Sequence, residues 1–111
     1  MAIEEISVDE LHALGPDITL VDVREDDEWA ESHVAHAVHV PLGTVPDHLD
    51  AFDGRPTYVI CKAGGRSLRA CEFAEAHGRD VVNVAGGMLA WSRAGHDVTS
   101  GADTAGGPAD A

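Results

Sequence analysis

The amino-acid sequence predicts an α/β fold in which helices cover both faces of a mostly parallel sheet. Short apolar runs rich in β-branched residues recur along the chain, and turn residues bound them. Segments with helical periodicity separate these runs. Because strands that alternate with helices at this spacing form βαβ units, we expect the strands to be parallel. Ligands of such sheets bind in loops at the carboxyl ends of the strands, so a site is expected there.

The first half of the chain is predicted to hold two helices and two strands. Ser7 and Glu10 form a capping box, and Gly15-Pro16 ends the helix that follows. Pro41 stops a brief second strand. The predicted elements are, in order, a helix from Ser7 to about Leu14, a strand over residues 18–23, a helix over residues 25–31, a strand over residues 38–40 and a turn or short helix over residues 44–52.

The second half is predicted to hold two strands, each followed by a helix. Thr57 to Cys61 and Val81 to Val84 are the strands, and Gly86-Gly87 turns into the last helix over residues 88–94. The best helix of the chain covers residues 67–77. Its apolar positions recur at the i, i+3, i+4, i+7 spacing of a buried stripe, made of Ala70, Phe73, Ala74 and His77.

Length and composition fit one globular domain. The chain has 111 residues, of which 44% are hydrophobic, and needs no disulfide or metal staples. No apolar run approaches the ~18 residues of a membrane span, and the acidic N-terminus lacks the layout of a signal peptide. We therefore expect one domain over residues 1–98, a cytoplasmic location and reduced cysteines. Residues 99–111 lack apolar periodicity and are expected to form a disordered tail.

The charge distribution excludes some partners and suggests others. The formal net charge is −13, which argues against binding to nucleic acid or to an anionic membrane surface. Lys62, Arg66 and Arg69 place three of the seven basic residues within eight positions. We interpret them as a local positive region that concentrates an anionic substrate; the alternative is that they are solvated charges on a helix face.

The segment from Val59 to Ser67 has the order strand, cysteine, glycine-rich loop and helix start. Gly64 and Gly65 allow a tight loop whose backbone N–H groups turn inward. Arg66 and Ser67 open a helix whose first N–H groups lack partners and whose dipole favours a negative charge. Because such a cradle stabilises a thiolate and binds an anion beside it, we predict that Cys61 is a reactive nucleophile.

Three motifs resemble the signatures of rhodanese-like domains. Residues 21–41 resemble the first signature, although Ser32 and His36 stand where that family commonly has glycine. Cys61 to Ser67 is similar to the active-site loop Cys-x4-Arg-Ser, and residues 84–91 resemble the closing Gly-Gly-x-x-x-Trp segment. This resemblance spans roughly residues 5 to 98. It implies a three-layer fold with a mostly parallel central sheet of about five strands and helices on both faces.

The same resemblance implies a single-domain thiosulfate sulfurtransferase. Cys61 would take a sulfane sulfur from thiosulfate, or from another small anionic donor, and hold it as a persulfide. The acceptor would be cyanide, a low-molecular-weight thiol or a sulfur-acceptor protein. Related phosphatases have one additional residue in this loop, so its length favours sulfur over phosphate. Because the leaving group is already a stable anion, neither a metal nor another cofactor is expected.

The loop backbone is expected to form the substrate-binding cradle. Its residues are Lys62, Ala63, Gly64, Gly65, Arg66 and Ser67. Lys62 is expected to attract the donor at the mouth of the loop, and Lys62 and Arg66 are expected to lower the pKa of Cys61. Arg66 either contacts the substrate or braces the loop by pairing with an acidic residue, and the resemblance favours the pairing.

Other functions stay open at this point. The same fold also supports arsenate reductase-like or phosphatase-like anion chemistry. The domain could instead act as a sulfur-relay carrier for a partner protein. A non-catalytic binding module is a further alternative, although such modules generally lack the cysteine that is present here at position 61.

Several other polar residues are interpreted as structural. Asp22 and Arg24 are expected to form a pair that fixes the end of a strand, with Glu28 as a candidate partner. Cys71 lies several ångströms along the helix from the loop and is expected to pack in the core.

Histidines and tryptophans near the first signature also favour structural roles. His33, His36 and His39 recur every third residue but lack a cluster of partner ligands, so no metal site is predicted. His36 and His39 are expected on the surface. Trp29 and Trp91 are expected in the core.

Overall fold

A computed structural model describes residues 3–101 as an α/β fold around one five-stranded sheet. The strands are β1 (Glu4–Ile6), β2 (Thr19–Asp22), β3 (Val38–His39), β4 (Thr57–Ile60) and β5 (Val81–Val84). The α-helices are α1 (Val8–Ala13), α2 (Asp26–Glu31), α3 (Gly65–Ala76) and α4 (Gly87–Arg93). Two 3-10 helices lie between β3 and β4, over Leu42–Asp47 and Leu49–Phe52.

All neighbouring strands of the sheet are parallel, in the order β1-β5-β4-β2-β3. The predicted parallel α/β architecture is therefore confirmed. The register places Val21 beside Val59 and Asp22 beside Ile60, so the carboxyl ends of β2 and β4 meet at one edge. This edge is where the loop after β4 begins, at Cys61.

Side chains of the central strands alternate between two buried layers, one on each face of the sheet. Val21 and Val59 point to the face that α3 and the 3-10 helices cover, where Ala70, Ala74 and Phe52 join them. Helices α1, α2 and α4 cover the opposite face of the sheet. The buried residues of this second layer include Leu11, Leu20, Trp29, Ile60 and Trp91. Burying one such large side chain contributes about 1.5–3 kcal/mol. Both tryptophans lie in the core, as predicted.

The sequence prediction missed β1. Two of its three residues are exposed glutamates, so the strand shows no apolar alternation. It forms because β5 offers a free edge: Glu4, Glu5 and Ile6 align in parallel with residues 82–84, and Ala85 N–H donates to Ile6 O at 2.9 Å. Tertiary pairing, rather than local sequence preference, therefore creates this strand.

The buried stripe of α3 differs from the predicted one. Ala70 and Ala74 are fully buried, but Phe73 is half-buried and His77 is exposed, so the prediction for His77 is wrong. The helix buries Ser67 and Cys71 instead. It also begins at Gly65, two residues before the predicted start, because Gly64 precedes it with a φ of +113° that only glycine adopts readily. The buried face of the helix therefore includes Ser67, whose hydroxyl contacts the Cys61 sulfur.

The chain after α4 returns to the domain. Thr99 and His33 exchange two backbone hydrogen bonds of 2.8 Å, and Gly101 N–H donates to Ala30 O at 2.7 Å. Residues 99–101, which the sequence assigned to the tail, therefore pack against the folded part, and the rest of that tail lies outside the described residues. Within residues 3–101, no helix has the length and apolarity that a membrane crossing requires.

Candidate active site

Cys61 follows β4 directly and lies at the carboxyl edge of the sheet. Its sulfur accepts a hydrogen bond from Gly64 N–H at 3.0 Å and lies 3.3 Å from the hydroxyl oxygen of Ser67. Cys61 is only 1% exposed, whereas Lys62, Ala63 and Gly65 beside it are exposed. The sulfur therefore lies just beneath the surface, with hydrogen-bond donors directed at it.

These donors decide the acidity of the thiol. Burial, the largest single influence, raises the pKa of Cys61, but hydrogen bonds from Ser67, Gly64 and Ala63 together outweigh it and lower the pKa. The donors of the predicted cradle therefore provide the main lowering, and the charge of Arg66 also interacts with the sulfur. The expected contribution of Lys62 stays a prediction. Because the thiolate is the nucleophilic form of cysteine, the loop favours a reactive sulfur.

Arg66 forms a bidentate ion pair with Glu28 of α2. Its two terminal nitrogens donate to the two carboxylate oxygens at 2.7 and 2.9 Å. These hydrogen bonds lower the pKa of Glu28 to about 2. The pair ties the first turn of α3 to α2, and both side chains remain partly accessible.

Asp22 and Arg24 form a separate, buried pair at the end of β2. The Arg24 side chain donates to both carboxylate oxygens of Asp22 at 2.9–3.1 Å, and its backbone N–H donates to Asp22 Oδ1 at 3.0 Å. A further bond from Arg24 Nη2 reaches Ser32 O at 2.6 Å. Glu28, which the sequence offered as a partner of this pair, instead accepts hydrogen bonds from the Arg66 side chain and from Glu25 N–H, because α2 turns it toward the loop.

The Gly86-Gly87 turn holds the other side of the loop. The first N–H groups of α4 donate to the loop backbone, Met88 to Cys61 O at 2.8 Å and Leu89 to Lys62 O at 3.0 Å. A Cβ atom at Gly87 would lie 2.3 Å from Cys61 O, and its φ is +54°. Glycine is therefore required here because two backbone segments approach closely.

A buried polar network behind the loop was not predicted. Asn83 is 1% exposed in β5, its Oδ1 lies 2.5 Å from Ser67 Oγ, and its Nδ2 donates to Glu5 Oε2 at 2.8 Å. An asparagine within a run of valines, Val-Val-Asn-Val, was the available signal, because a buried polar side chain needs a partner. Glu5 carried no such signal, since β1 itself was missed.

Lys62 lies at the surface beside a groove of about 230 Å³. Its walls also include Arg24, Glu28 and Leu89. A more apolar cavity of about 210 Å³, lined by residues such as Leu11 and Trp91, shares no residue with this groove. Of these two spaces, only the groove is lined by a residue of the Cys61 loop, namely Lys62.

The histidines after α2 pack around one tryptophan. The ring of His33 stacks on Trp29 at 3.5 Å, and that of His39 stacks on Trp29 at 4.7 Å. His39 Nε2 also lies 2.8 Å from Arg24 O, so the expected surface position of His39 is wrong. His36 is half-buried rather than on the open surface. Among residues 3–101, no three side chains of the metal-binding types form a metal-binding group.

Cys71 lies in the core layer beneath α3 and is fully buried. Burial raises the pKa of its thiol to about 12, and the nearby carboxylates of Glu5, Glu72 and Glu75 add to the effect. The environment therefore keeps this second cysteine protonated.

Comparison with known proteins places this geometry in a family. A family model for the rhodanese-like domain matches residues 7–94. The protein named "Putative sulfurtransferase YtwF" of Bacillus subtilis is 40% identical over 89 residues, which cover 79% of this chain and 81% of that protein. A protein named "Sulfurtransferase" of Allochromatium vinosum is 33% identical over 82 residues, covering 71% and 76% of the two chains.

A solved structure shows the same arrangement of elements. The rhodanese-like domain protein of Staphylococcus aureus superposes with a TM-score of 0.74 at 38% identity, and the match covers 80% of this chain and 91% of that one. The range that the family model matches contains all three motifs, including the loop after Cys61. The chain belongs to the rhodanese-like domain family, and relatives within it are sulfurtransferases by name.

Proposed function

We propose that this protein is a sulfurtransferase that moves a sulfane sulfur through a persulfide on Cys61. The observation that carries the proposal is the set of donors around the sulfur: Gly64 N–H at 3.0 Å and the Ser67 hydroxyl at 3.3 Å, at the start of α3. They lower the pKa of Cys61 against the opposing effect of burial. The sulfurtransferase names of its relatives support the same chemistry.

The reaction consists of two displacements at sulfur. In the first, the Cys61 thiolate attacks the outer sulfur of thiosulfate; a new S–S bond forms, the old S–S bond breaks, and sulfite leaves with the electron pair. In the second, cyanide or a thiolate attacks the terminal sulfur of the persulfide, and the Cys61 thiolate leaves. A sulfur anion occupies the loop before and after each step: the Cys61 thiolate at the start and at the end, and the terminal sulfur of the persulfide between the two displacements. Inward-facing N–H groups stabilise this negative charge throughout.

Lys62 and the groove beside it are proposed to receive the donor and the acceptor. Lys62 is exposed at the mouth of the loop, where its charge favours an anion such as thiosulfate. Both terminal nitrogens of Arg66 donate to the carboxylate of Glu28, so its proposed role is to brace the loop rather than to bind the substrate. The groove is open to solvent and could admit either a small thiol or the cysteine of an acceptor protein.

The experiment that tests this proposal is intact-mass spectrometry after incubation with thiosulfate. The wild-type protein should gain one sulfur atom, cyanide should remove it, and Cys61→Ser should never acquire it. Cys71→Ser is the matched control and should gain the sulfur as wild type does. Hydrolysis of a phosphate ester or reduction of arsenate by a protein that gains no sulfur would overturn the proposal in favour of the alternative anion chemistry.

A further inference from the structure

A chain of polar contacts links the Cys61 sulfur to the outer edge of the sheet. Ser67 Oγ lies 3.3 Å from Cys61 Sγ and 2.5 Å from Asn83 Oδ1. Asn83 Nδ2 in turn donates to Glu5 Oε2 at 2.8 Å. Ser67 and Asn83 are buried, whereas Glu5 lies on the exposed strand β1. The contacts therefore connect an accessible carboxylate to the reactive sulfur through two buried side chains.

The partners of Asn83 fix the orientation of its amide. Glu5 Oε2 and Gly64 O, which lies 3.3 Å from Nδ2, are acceptors, so the NH₂ group of the amide must face them. The amide oxygen is consequently directed at Ser67, where it can only accept a hydrogen bond.

Three acceptors compete for the single hydroxyl proton of Ser67. They are Asn83 Oδ1 at 2.5 Å, Gly64 O at 3.2 Å and Cys61 Sγ at 3.3 Å. When the proton points to Asn83, the oxygen lone pairs face the sulfur and favour a protonated thiol, whose S–H can donate to Ser67. When the proton points to the sulfur, the thiolate is favoured.

We propose that Asn83, held in place by Glu5, is a positioning residue that limits how far the Ser67 hydroxyl proton is shared with the Cys61 sulfur. The thiolate then stays more basic than the cradle alone would make it. Because nucleophilicity falls as a thiol becomes more acidic, a more basic thiolate attacks sulfur faster once it is formed. This last consequence rests on the proposed function, whereas the effect on the thiol does not.

A charge reversal on β1 tests the inference without altering the core. In Glu5→Lys the ammonium group can only donate, so it favours the amide oxygen of Asn83 and turns the NH₂ group toward Ser67. The Ser67 proton is then free for the sulfur. Glu4→Lys is the matched control, because it makes the same change of charge on the neighbouring residue, whose side chain points to the opposite face of the sheet.

The readout is the rate of Cys61 alkylation by iodoacetamide as a function of pH, in a Cys71→Ser background. We expect Glu5→Lys to move the midpoint of the profile about half to one pH unit toward acid. Its alkaline plateau should fall about two- to threefold, because the thiolate is less basic. Glu4→Lys should leave both the midpoint and the plateau close to those of the reference protein.

A double-mutant cycle identifies Ser67 as the link. Asn83→Leu removes the competing acceptor and should shift the profile toward acid, as Glu5→Lys does. In a Ser67→Ala background, both shifts should disappear, because no hydroxyl proton remains to be redistributed. Thermal unfolding, monitored by circular dichroism, reports whether Asn83→Leu folds. If it does not fold, Glu5→Lys and Glu4→Lys still test the inference.

Two results would overturn the inference. One is an equal shift in Glu4→Lys and Glu5→Lys, which would mean that only long-range charge acts on the sulfur. The other is a Glu5→Lys shift that persists unchanged in the Ser67→Ala background. Since alkylation requires no sulfur donor, loss of sulfur transfer with an intact shift would contradict only the proposed function.

Discussion

Cys61 and Cys71 lie ten residues apart, and the protein drives their thiol pKa values in opposite directions. Both are buried, with exposed fractions of 1% and 0%. Burial raises the pKa of each thiol, so it does not distinguish them. The difference lies in hydrogen-bond donors: those of Ser67, Gly64 and Ala63 act on Cys61 and outweigh burial. Cys71 has no such donors among the causes of its shift, so burial, with a smaller contribution from acidic neighbours, raises its pKa to about 12.

This comparison shows that the hydrogen-bond donors around a cysteine make it reactive, here backbone N–H groups together with the Ser67 hydroxyl. Cys61 directly follows a strand and begins a glycine-rich loop whose N–H groups have no partner within the helix. Cys71 lies in the second turn of the same helix, where the N–H groups are already used by the helix itself. Four measurements test this contrast and the structure that supports it.

The largest expected effect is the difference in labelling between the two thiols. At pH 7, a pKa of about 12 leaves roughly one Cys71 in 10⁵ ionised, whereas the hydrogen bonds that lower the pKa of Cys61 leave a far larger fraction of this thiol as thiolate. A short pulse of iodoacetamide, followed by peptide mass spectrometry, should therefore label Cys61 at least about tenfold faster, because its larger thiolate fraction outweighs the greater nucleophilicity of the more basic Cys71 thiolate. Labelling should become equal in denaturant, and equal labelling in the native protein would contradict the contrast.

The second prediction concerns the glycine that supports the Cys61 backbone. Gly87→Ala places a Cβ 2.3 Å from Cys61 O at a positive φ, so it should destabilise the protein by about 2–4 kcal/mol. Urea unfolding measures the loss. Gly43→Ala is the control, because its added Cβ meets no atom within 4 Å, and its stability should change by less than about 0.5 kcal/mol. Similar losses of stability in the two variants would show that the close approach of Gly87 to Cys61 O does not require a glycine.

The third prediction removes one donor from the cradle. Ser67→Ala should raise the pKa of Cys61, because the hydroxyl no longer stabilises the thiolate, and should slow alkylation at neutral pH severalfold. It should also cost about 1–3 kcal/mol, since Asn83 Oδ1 loses its buried partner. Ser92→Ala, at an exposed position of α4, serves as the control for both measurements. An unchanged alkylation profile in Ser67→Ala would show that backbone N–H groups alone act on the sulfur.

The smallest expected effect comes from the brace between α2 and α3. The folded-state pKa of Glu28 is lowered to about 2, below its ordinary 4.5, so its contribution to stability is present above pH 4.5 and is lost as the pH falls toward 2. Because the pair is partly exposed and screened by water, that contribution is about 1 kcal/mol.

Acid unfolding of wild type and Glu28→Gln measures the contribution of this brace. The two free energies of unfolding should differ at pH 6 and converge as the pH falls through 2, because Glu28 then becomes protonated. A difference that stayed constant over this range would show that the ion pair with Arg66 is not its source.

Much of the fold followed from local pattern. Apolar β-branched runs located β2, β4 and β5, and the Ser7-Glu10 capping box, present with both of its hydrogen bonds, located α1. Strand β1 and the exposed position of His77 did not follow, because an acidic edge strand and the rotation of a helix depend on what packs beside them. The pairing of Glu28 with Arg66, from residues 38 positions apart, depended on the same packing.

By itself, the sequence determined the parallel architecture, the family and the position of Cys61 at the end of a strand before a glycine-rich helix start. These features are local, since they are set by periodicity, turn residues and contiguous motifs. Only the tertiary structure decided which groups act on the sulfur. Glu5 comes from β1, and Asn83 and Gly87 come from β5 and the turn after it; both segments are distant in sequence from Cys61, and only the closing of the sheet brings them to its loop.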